Sequence, residues 1–139
     1  MAELRALLEE LGIERPLLVT SERWRELDVP AAKTFYDVRP HTPSEVVEEA
    51  VAAAEDVDGI LAVGGGSAID TSKAVSARTG LPVVSVPTTY SGAEWTPGFG
   101  IRDEERRVKA GGSGARLAGI VYETELTLRL PLGESAGTR

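Results

Sequence analysis

One unbroken apolar run, Gly59 to Val63, constrains the fold of this chain more than any other feature. A run of this kind is typical of a β-strand that is buried on both faces, as in the parallel sheets of α/β proteins. Three glycines, Gly64 to Gly66, follow it directly, and residues 67–79 continue with a helical pattern. This order of strand, glycine turn and helix predicts one unit of an open α/β sheet.

Comparable elements flank this unit on both sides. The pattern of apolar residues predicts helices over 2–11, 22–27, 43–54 and 67–79, strands over 17–20, 34–38, 59–63, 82–87 and 119–122, and a hairpin over 98–110. The helix predicted over 43–54 has Thr42 at its cap position, Pro43 at its first position and Glu45 at its third. Strands that alternate with helices indicate a Rossmann-like α/β fold, with a mostly parallel sheet, flanking helices and a β-hairpin.

Length and composition narrow the classes of function. The 139 residues correspond to a single domain, and 42% apolar with 27% charged residues is a globular balance. A net charge of −7 argues against a nucleic-acid partner. With no cysteine and one histidine, the chain cannot build a disulfide scaffold, a thiol nucleophile or a many-histidine metal centre. The sequence shows no signal peptide and no apolar run near ~20 residues, which predicts a soluble cytoplasmic protein without a membrane partner.

The glycine turn is the strongest candidate for a binding site. Glycines let the main chain approach a ligand closely, and the free N–H groups at a helix start attract a phosphate. Gly65, Gly66 and Ser67 would form this anion site, although the pattern is neither the GxGxxG nor the Walker motif. The alternative is a tight structural turn, in which Ser67 caps the helix and Asp70 is its acidic partner.

Two further groups of residues have both a functional and an ordinary interpretation. Asp70 and Lys73 are three positions apart and share one helix face. They form either a surface ion pair that stabilises the helix by ~0.3–0.5 kcal/mol or a pair of groups that reach over the glycine turn. Hydroxyl residues 88–91 follow a second buried strand, where ligands of open α/β sheets bind. They form either an ordinary polar loop or, with the glycine turn, one shared ligand site. His41 fits a solvated or capping residue better than a ligand.

Two of these segments together resemble a known family. Residues 64–74, GGGSAIDTSKA, and residues 86–94, VPTTYSGAE, look like the two cofactor-binding motifs of the iron-containing (group III) alcohol dehydrogenases. Residues 39–43, RPHTP, and 94–97, EWTP, resemble the maleylacetate reductase branch in particular. A glycerol dehydrogenase-like or dehydroquinate synthase-like domain shares the glycine turn but fits the other segments less well.

The resemblance implies a cofactor, NAD or NADP, and a set of residues that bind it. By this resemblance Gly65, Gly66 and Ser67 contact the pyrophosphate, with Asp70 and Lys73 as helix partners. The other positions implied are those near the ribose, the nicotinamide and the hairpin: Ser21, His41, Thr88, Thr89, Ser91 and Lys109. Ser21 stands where members that exclude NADP tend to carry an acid, so cofactor choice is open and both are expected to bind within about tenfold.

The family also implies parts that this chain lacks. Its all-helical C-terminal domain supplies the ligands of an iron or zinc ion, an Asp and three His, and much of the substrate pocket. Residues 126–139 resemble the segment before that domain, so we expect one dinucleotide-binding domain over 1–139 and half of an oxidoreductase. The implied partners are the dinucleotide, a helical domain on another chain and further copies in a homo-oligomer. A non-catalytic nucleotide-binding module, or truncated pseudoenzyme, is the alternative.

Overall fold

The computed structural model describes residues 2–89, 94, 98–103, 108–112 and 114–122, with only the backbone for 99–103 and 108–112. Three helices and seven strands lie within this part of the chain. The helices are α1 (Ala2–Leu11), α2 (Ser44–Ala53) and α3 (Gly66–Thr79). The strands are β1 (Pro16–Val19), β2 (Lys33–Phe35), β3 (Gly59–Gly64), β4 (Pro82–Pro87), β5 (Phe99–Asp103), β6 (Val108–Gly112) and β7 (Arg116–Ile120).

Five of these strands form one parallel sheet in the order β2-β1-β3-β4-β7. Strands β5 and β6 pair antiparallel as a separate ribbon, which confirms the predicted hairpin. The turn between the two strands, residues 104–107, lies outside the described residues. A parallel sheet with flanking helices and a hairpin confirms the α/β class predicted from the sequence.

The core has two parts, one on each face of the sheet. Alternate side chains of a strand point to opposite faces, so β3 contributes Ile60 and Ala62 to one part and Leu61 and Val63 to the other. Helices α2 and α3 cover the first face, while α1 and Trp24 cover the second. All six residues of β3 are buried, as its unbroken apolar sequence predicts.

Two predicted helix caps are wrong. Helix α2 begins at Ser44 with Pro43 as its cap residue, because Thr42 has φ 47° and its backbone is left-handed rather than extended. Helix α3 is capped by Gly65 without a side-chain hydrogen bond, so Ser67 lies inside the first turn and is not the cap. The predicted short helix after β1 is a single 3-10 turn, Glu22–Trp24.

Of the helices in the described part of the chain, none has the length and apolar character needed to cross a membrane.

Candidate functional site

A cleft of about 470 Å³ lies at the carboxyl ends of β1, β3 and β4. The chain runs outward from β1 to β2 on one side and from β3 to β4 on the other, so the strand order reverses between β1 and β3. Open α/β sheets bind ligands at such a reversal. The lining residues are Ser21, Arg23, Trp24, Val38, Arg39, Pro40, Gly64, Gly65, Gly66, Ser67, Ala68, Thr88 and Thr89.

Hydrogen bonds hold the three strand ends together beneath the cleft. The buried Thr20 hydroxyl donates to the Val63 carbonyl oxygen at 2.6 Å, which joins the exit of β1 to the end of β3. The Thr88 amide donates to the Gly64 carbonyl oxygen at 2.9 Å, which joins β3 to the exit of β4. These bonds connect the last two carbonyl groups of β3 to the segments that follow β1 and β4, so the floor of the cleft is preorganised.

The first two glycines of the turn have different physical roles. Gly64 has φ 146°, and an added Cβ would lie 2.9 Å from the Ala68 Cβ, so this position requires glycine for its backbone and its packing. Gly65 has φ −89°, which any residue adopts, but an added Cβ would lie 3.3 Å from the Thr89 Oγ1. At Gly65 the missing side chain therefore keeps space open in the cleft.

This open space lies at the start of α3. The first N–H groups of an α-helix have no partner within the helix, and they carry the positive end of its dipole. Since Gly65, Gly66 and Ser67 line the cleft at this helix start, their main chain can receive a phosphate or another anion. The structure places the glycine turn on the cleft, and its role as an anion site stays a prediction.

The side chain of Lys73 does not lie on the cleft. It is fully buried, and its Nζ donates to the Gly98 carbonyl oxygen at 2.9 Å and lies 3.9 Å from the Asp70 Oδ1. Burial lowers the pKa of Lys73 below its usual range, while the charges of Asp70 and Glu94 oppose that shift. The ordinary interpretation of this pair, a surface ion pair, is wrong because Lys73 is inside the protein.

Glu94 is a second buried charge, close enough to influence Lys73. Its side chain is 2% exposed, and its Oε2 accepts a hydrogen bond from the Tyr122 hydroxyl at 2.9 Å. Within the described part of the chain, its Oε1 has no hydrogen-bond partner. Lys73 on α3 and Glu94 after β4 are the two buried charges, which we call the buried charge cluster. The exposed Tyr122, which follows β7, bonds this cluster through Glu94.

The remaining predicted residues are spread around the cleft. Ser21, Thr88 and Thr89 line it, whereas His41 is exposed beside the lining residue Pro40 and has a left-handed backbone with φ 65°. Asp70 is partly exposed and is not among the lining residues. Ser91 and the Lys109 side chain lie outside what the structure describes. The cofactor roles of all these residues stay predictions.

Sequence reasoning missed two residues of the cleft, Arg23 and Arg39. Each is an exposed arginine within two positions of a residue that was singled out, Ser21 or His41. A positive charge close to the exit of a buried strand was the available signal.

The described residues do not provide a metal site. Among them, no group of three or more His, Cys, Asp or Glu side chains could hold a metal ion. The described residues therefore do not supply the donor set that an iron or zinc ion requires.

Comparison with known proteins identifies the family. The sequence model described as "Iron-containing alcohol dehydrogenase" matches residues 1–118. The maleylacetate reductase of Pseudomonas knackmussii is 42% identical over 97% of this chain, which spans 41% of that protein's length.

Solved structures show the same fold. The maleylacetate reductase from Rhizobium sp. strain MTP-10005 has a TM-score of 0.83 at 34% identity, over 94% of this chain and 40% of its own. The iron-containing alcohol dehydrogenase from Corynebacterium glutamicum has a TM-score of 0.89 at 32% identity, over 99% of this chain and 41% of its own. With the fold, the glycine turn and the family match in agreement, this chain belongs to the iron-containing alcohol dehydrogenase family.

Proposed function

We propose that this chain is the dinucleotide-binding half of an NAD(P)-dependent oxidoreductase. The observation that carries the proposal is the position of the glycine turn, where the start of α3 lines a cleft of about 470 Å³ at the reversal of strand order. Membership of a family of oxidoreductases supports the same conclusion. The bound nicotinamide would supply hydride transfer to or from a carbonyl, an alcohol or a maleylacetate-like substrate.

Different residues of the cleft would bind different parts of the dinucleotide. The main chain of Gly65, Gly66 and Ser67 would hold the pyrophosphate at the start of α3. The hydroxyl groups of Thr88 and Thr89 would hydrogen-bond the ribose or the nicotinamide, at the opposite wall from Ser21. These roles require no reorganisation of the strand ends, because the bonds of Thr20 and Thr88 already fix them.

The remaining part of the enzyme would complete the active site. This chain spans about 41% of the length of the relatives that it matches, so metal ligands and substrate pocket would belong to a helical part. We propose a cytoplasmic homo-oligomer as its setting, as the family resemblance implies.

A second candidate is a nucleotide-binding module without turnover. The same cleft at the glycine turn would serve such a module. Both candidates require the dinucleotide, and only the first requires a helical part that completes the site.

Titration calorimetry of the purified chain with NAD(H) and NADP(H) tests the shared requirement. The Gly65→Val variant should lose binding of both, because its side chain crowds Thr89 and occupies the space beside the glycine turn. Ala52→Val is the control, since it also ends in a valine but at an exposed position on α2. If neither cofactor binds the unaltered chain, or if both bind Gly65→Val equally well, the proposal is wrong.

A further inference from the structure

Thr20 lies at the point where the strands of the sheet separate to form the cleft. The parallel pairing of β1 with β3 ends at Val19 and Ala62, and Thr20 and Val63 are the residues that follow them. The pairing of β3 with β4, in contrast, continues through Val63 and Gly64. At this level β3 has lost its pairing with β1 while it keeps its pairing with β4, and the cleft opens there.

The polar groups of Thr20 connect three segments at this point. Its amide donates to the Phe35 carbonyl oxygen of β2 at 2.9 Å, and its carbonyl oxygen accepts a longer bond from the Val38 amide at 3.4 Å. Its hydroxyl belongs to a fully buried side chain and donates to the Val63 carbonyl oxygen of β3 at 2.6 Å. Since β1 lies between β2 and β3, the main chain of Thr20 bonds one neighbour and its side chain bonds the other.

The Thr20 hydroxyl takes the place of a main-chain donor. In a parallel ladder, the carbonyl groups of a strand accept hydrogen bonds from main-chain amides of its neighbour. At Val63 the donor is the Thr20 side chain instead, while the main chain turns towards β2, where Ser21 forms an isolated bridge with Asp37. The hydroxyl therefore allows the chain to leave β3 and still pairs the buried Val63 carbonyl group.

This bond joins the two walls of the cleft. Ser21 directly follows Thr20 and lines one wall, and Gly64 directly follows Val63 and lines the other. Each wall is one peptide unit away from the bond, so the distance between the walls depends on it. A dinucleotide that extends from the glycine turn to the exit of β1 would contact both walls at once.

We propose that the Thr20 hydroxyl is a positioning group that holds the cleft at the width that a dinucleotide requires. This inference rests on the proposed function. Without the hydroxyl, the Val63 carbonyl oxygen loses a donor in the interior, and movement of the walls apart admits water to replace it. The apparent affinity of a ligand falls in proportion to the fraction of molecules that keep the binding geometry, so a fraction of one tenth weakens both cofactors about tenfold.

The test compares the unaltered chain with Thr20→Ser, Thr20→Ala and Thr20→Val. Serine and alanine differ only in the hydroxyl, and valine keeps the shape of threonine without it. Calorimetric titrations with NADH and NADPH measure affinity per folded molecule, and urea unfolding measures stability. Thr20→Ala and Thr20→Val should weaken both cofactors about tenfold, whereas Thr20→Ser should stay within about twofold of the unaltered chain.

Ser76→Ala is the matched control for general destabilisation. The Ser76 side chain is also fully buried, and its hydroxyl donates to a main-chain carbonyl oxygen, that of Leu81, at 2.7 Å. This bond lies towards the opposite end of α3 from the glycine turn. Ser76→Ala should therefore lose stability, as Thr20→Ala does, but keep its affinity for both cofactors within about twofold.

Three results would overturn this inference and leave the proposed function in place. They are a loss in Thr20→Ser as large as in Thr20→Ala, an unchanged affinity in Thr20→Ala and Thr20→Val, and an equal loss in Ser76→Ala. If Thr20→Val does not fold, the comparison of Thr20→Ser with Thr20→Ala decides. If neither cofactor binds the unaltered chain, the proposed function fails and this inference fails with it.

Discussion

The Lys73 ammonium group donates a hydrogen bond to the main-chain carbonyl oxygen of Gly98, 2.9 Å away. Lys73 is in the middle of α3, and Gly98 directly precedes the antiparallel ribbon β5–β6. A charged side chain thus fastens the helix of the glycine turn to a segment 25 positions further along the chain. Because the ammonium group is fully buried, this bond is not in competition with water.

The substitution Lys73→Met should destabilise the protein by about 2 kcal/mol, since it leaves a partly buried carbonyl oxygen without its donor. Urea unfolding followed by circular dichroism measures the change. Lys33→Met serves as the control, because Lys33 bonds the Glu55 carbonyl oxygen at an exposed site and should cost much less. Equal losses for the two variants would contradict the role of burial.

The same lysine should make stability depend on pH. Its pKa is lowered by burial in the folded protein and returns to the ordinary 10.5 when the chain unfolds. Between those two values the unfolded state binds more protons, so the free energy of unfolding rises as the pH rises toward 10.5. The stability of the unaltered protein relative to Lys73→Met should therefore increase from neutral to alkaline pH. A difference that stays flat over this range would show that Lys73 keeps its ordinary pKa.

The first two glycines of the turn should respond differently to alanine. Gly64→Ala should lower the free energy of unfolding by about 1–3 kcal/mol, because its φ of 146° is open only to glycine and its Cβ would collide with Ala68. Gly65→Ala should leave stability nearly unchanged but weaken cofactor binding at least about tenfold, or ~1.4 kcal/mol. Thermal unfolding and calorimetry on both variants measure the two effects. The assignment fails if Gly65→Ala unfolds the protein as readily as Gly64→Ala.

Removing the Tyr122 hydroxyl should weaken the buried charge cluster. Tyr122→Phe deletes the donor to the Glu94 Oε2 and should cost about 1–3 kcal/mol, because a hydrogen bond to a buried carboxylate is stronger than one between neutral groups. The ring is 41% exposed, so little packing is lost with the hydroxyl. Combining Tyr122→Phe with Glu94→Gln should cost less than the sum of the single changes. Strict additivity in urea unfolding would show that the two groups do not interact.

Ser21→Asp should weaken NADP(H) selectively. A carboxylate on the wall that carries Arg23 and Arg39 would repel a 2′-phosphate and could accept a hydrogen bond from a 2′-hydroxyl. Parallel titrations of both cofactors against Ser21→Asp and Ser21→Asn separate the effect of charge from that of shape. An unchanged NADP/NAD ratio would place Ser21 outside the recognition site.

The sequence predicted most of the elements of the sheet, and physical reasons explain where it was less accurate. Strand β4 begins and ends where predicted, since an apolar run between two prolines has few alternatives. The predicted cap of α2 was wrong. A Thr-Pro pair fits the cap and first position of a helix in sequence, but the backbone of Thr42 is left-handed. Local pattern cannot show this, because the turn is fixed by packing around buried Thr42 and Pro43.

The candidate site was predictable in its centre but not at its edges. Gly65 and Gly66 follow from their place after β3, and Thr88 from its place after β4. Lys73 was predicted to lie at the surface or to reach over the glycine turn. Its spacing from Asp70 shows that the two share a helix face, but it does not show whether that face is buried. The two arginines were missed because their relation to the cleft depends on how the exits of β1 and β2 are bonded together.

The packing of α1 has a consequence for the order of events during synthesis. Leu7 of α1 lies so close to Gly119 of β7 that an added Cβ would approach its Cδ2 at 2.7 Å, and Leu4 and Leu8 share a core with Val121. Among the described elements, α1 is therefore synthesised first, and it rests in part on the strand that is synthesised last. The part of its apolar side that contacts β7 stays uncovered while nearly all of the intervening chain is translated, which is the interval in which a chaperone or an aggregating neighbour competes for the same surface.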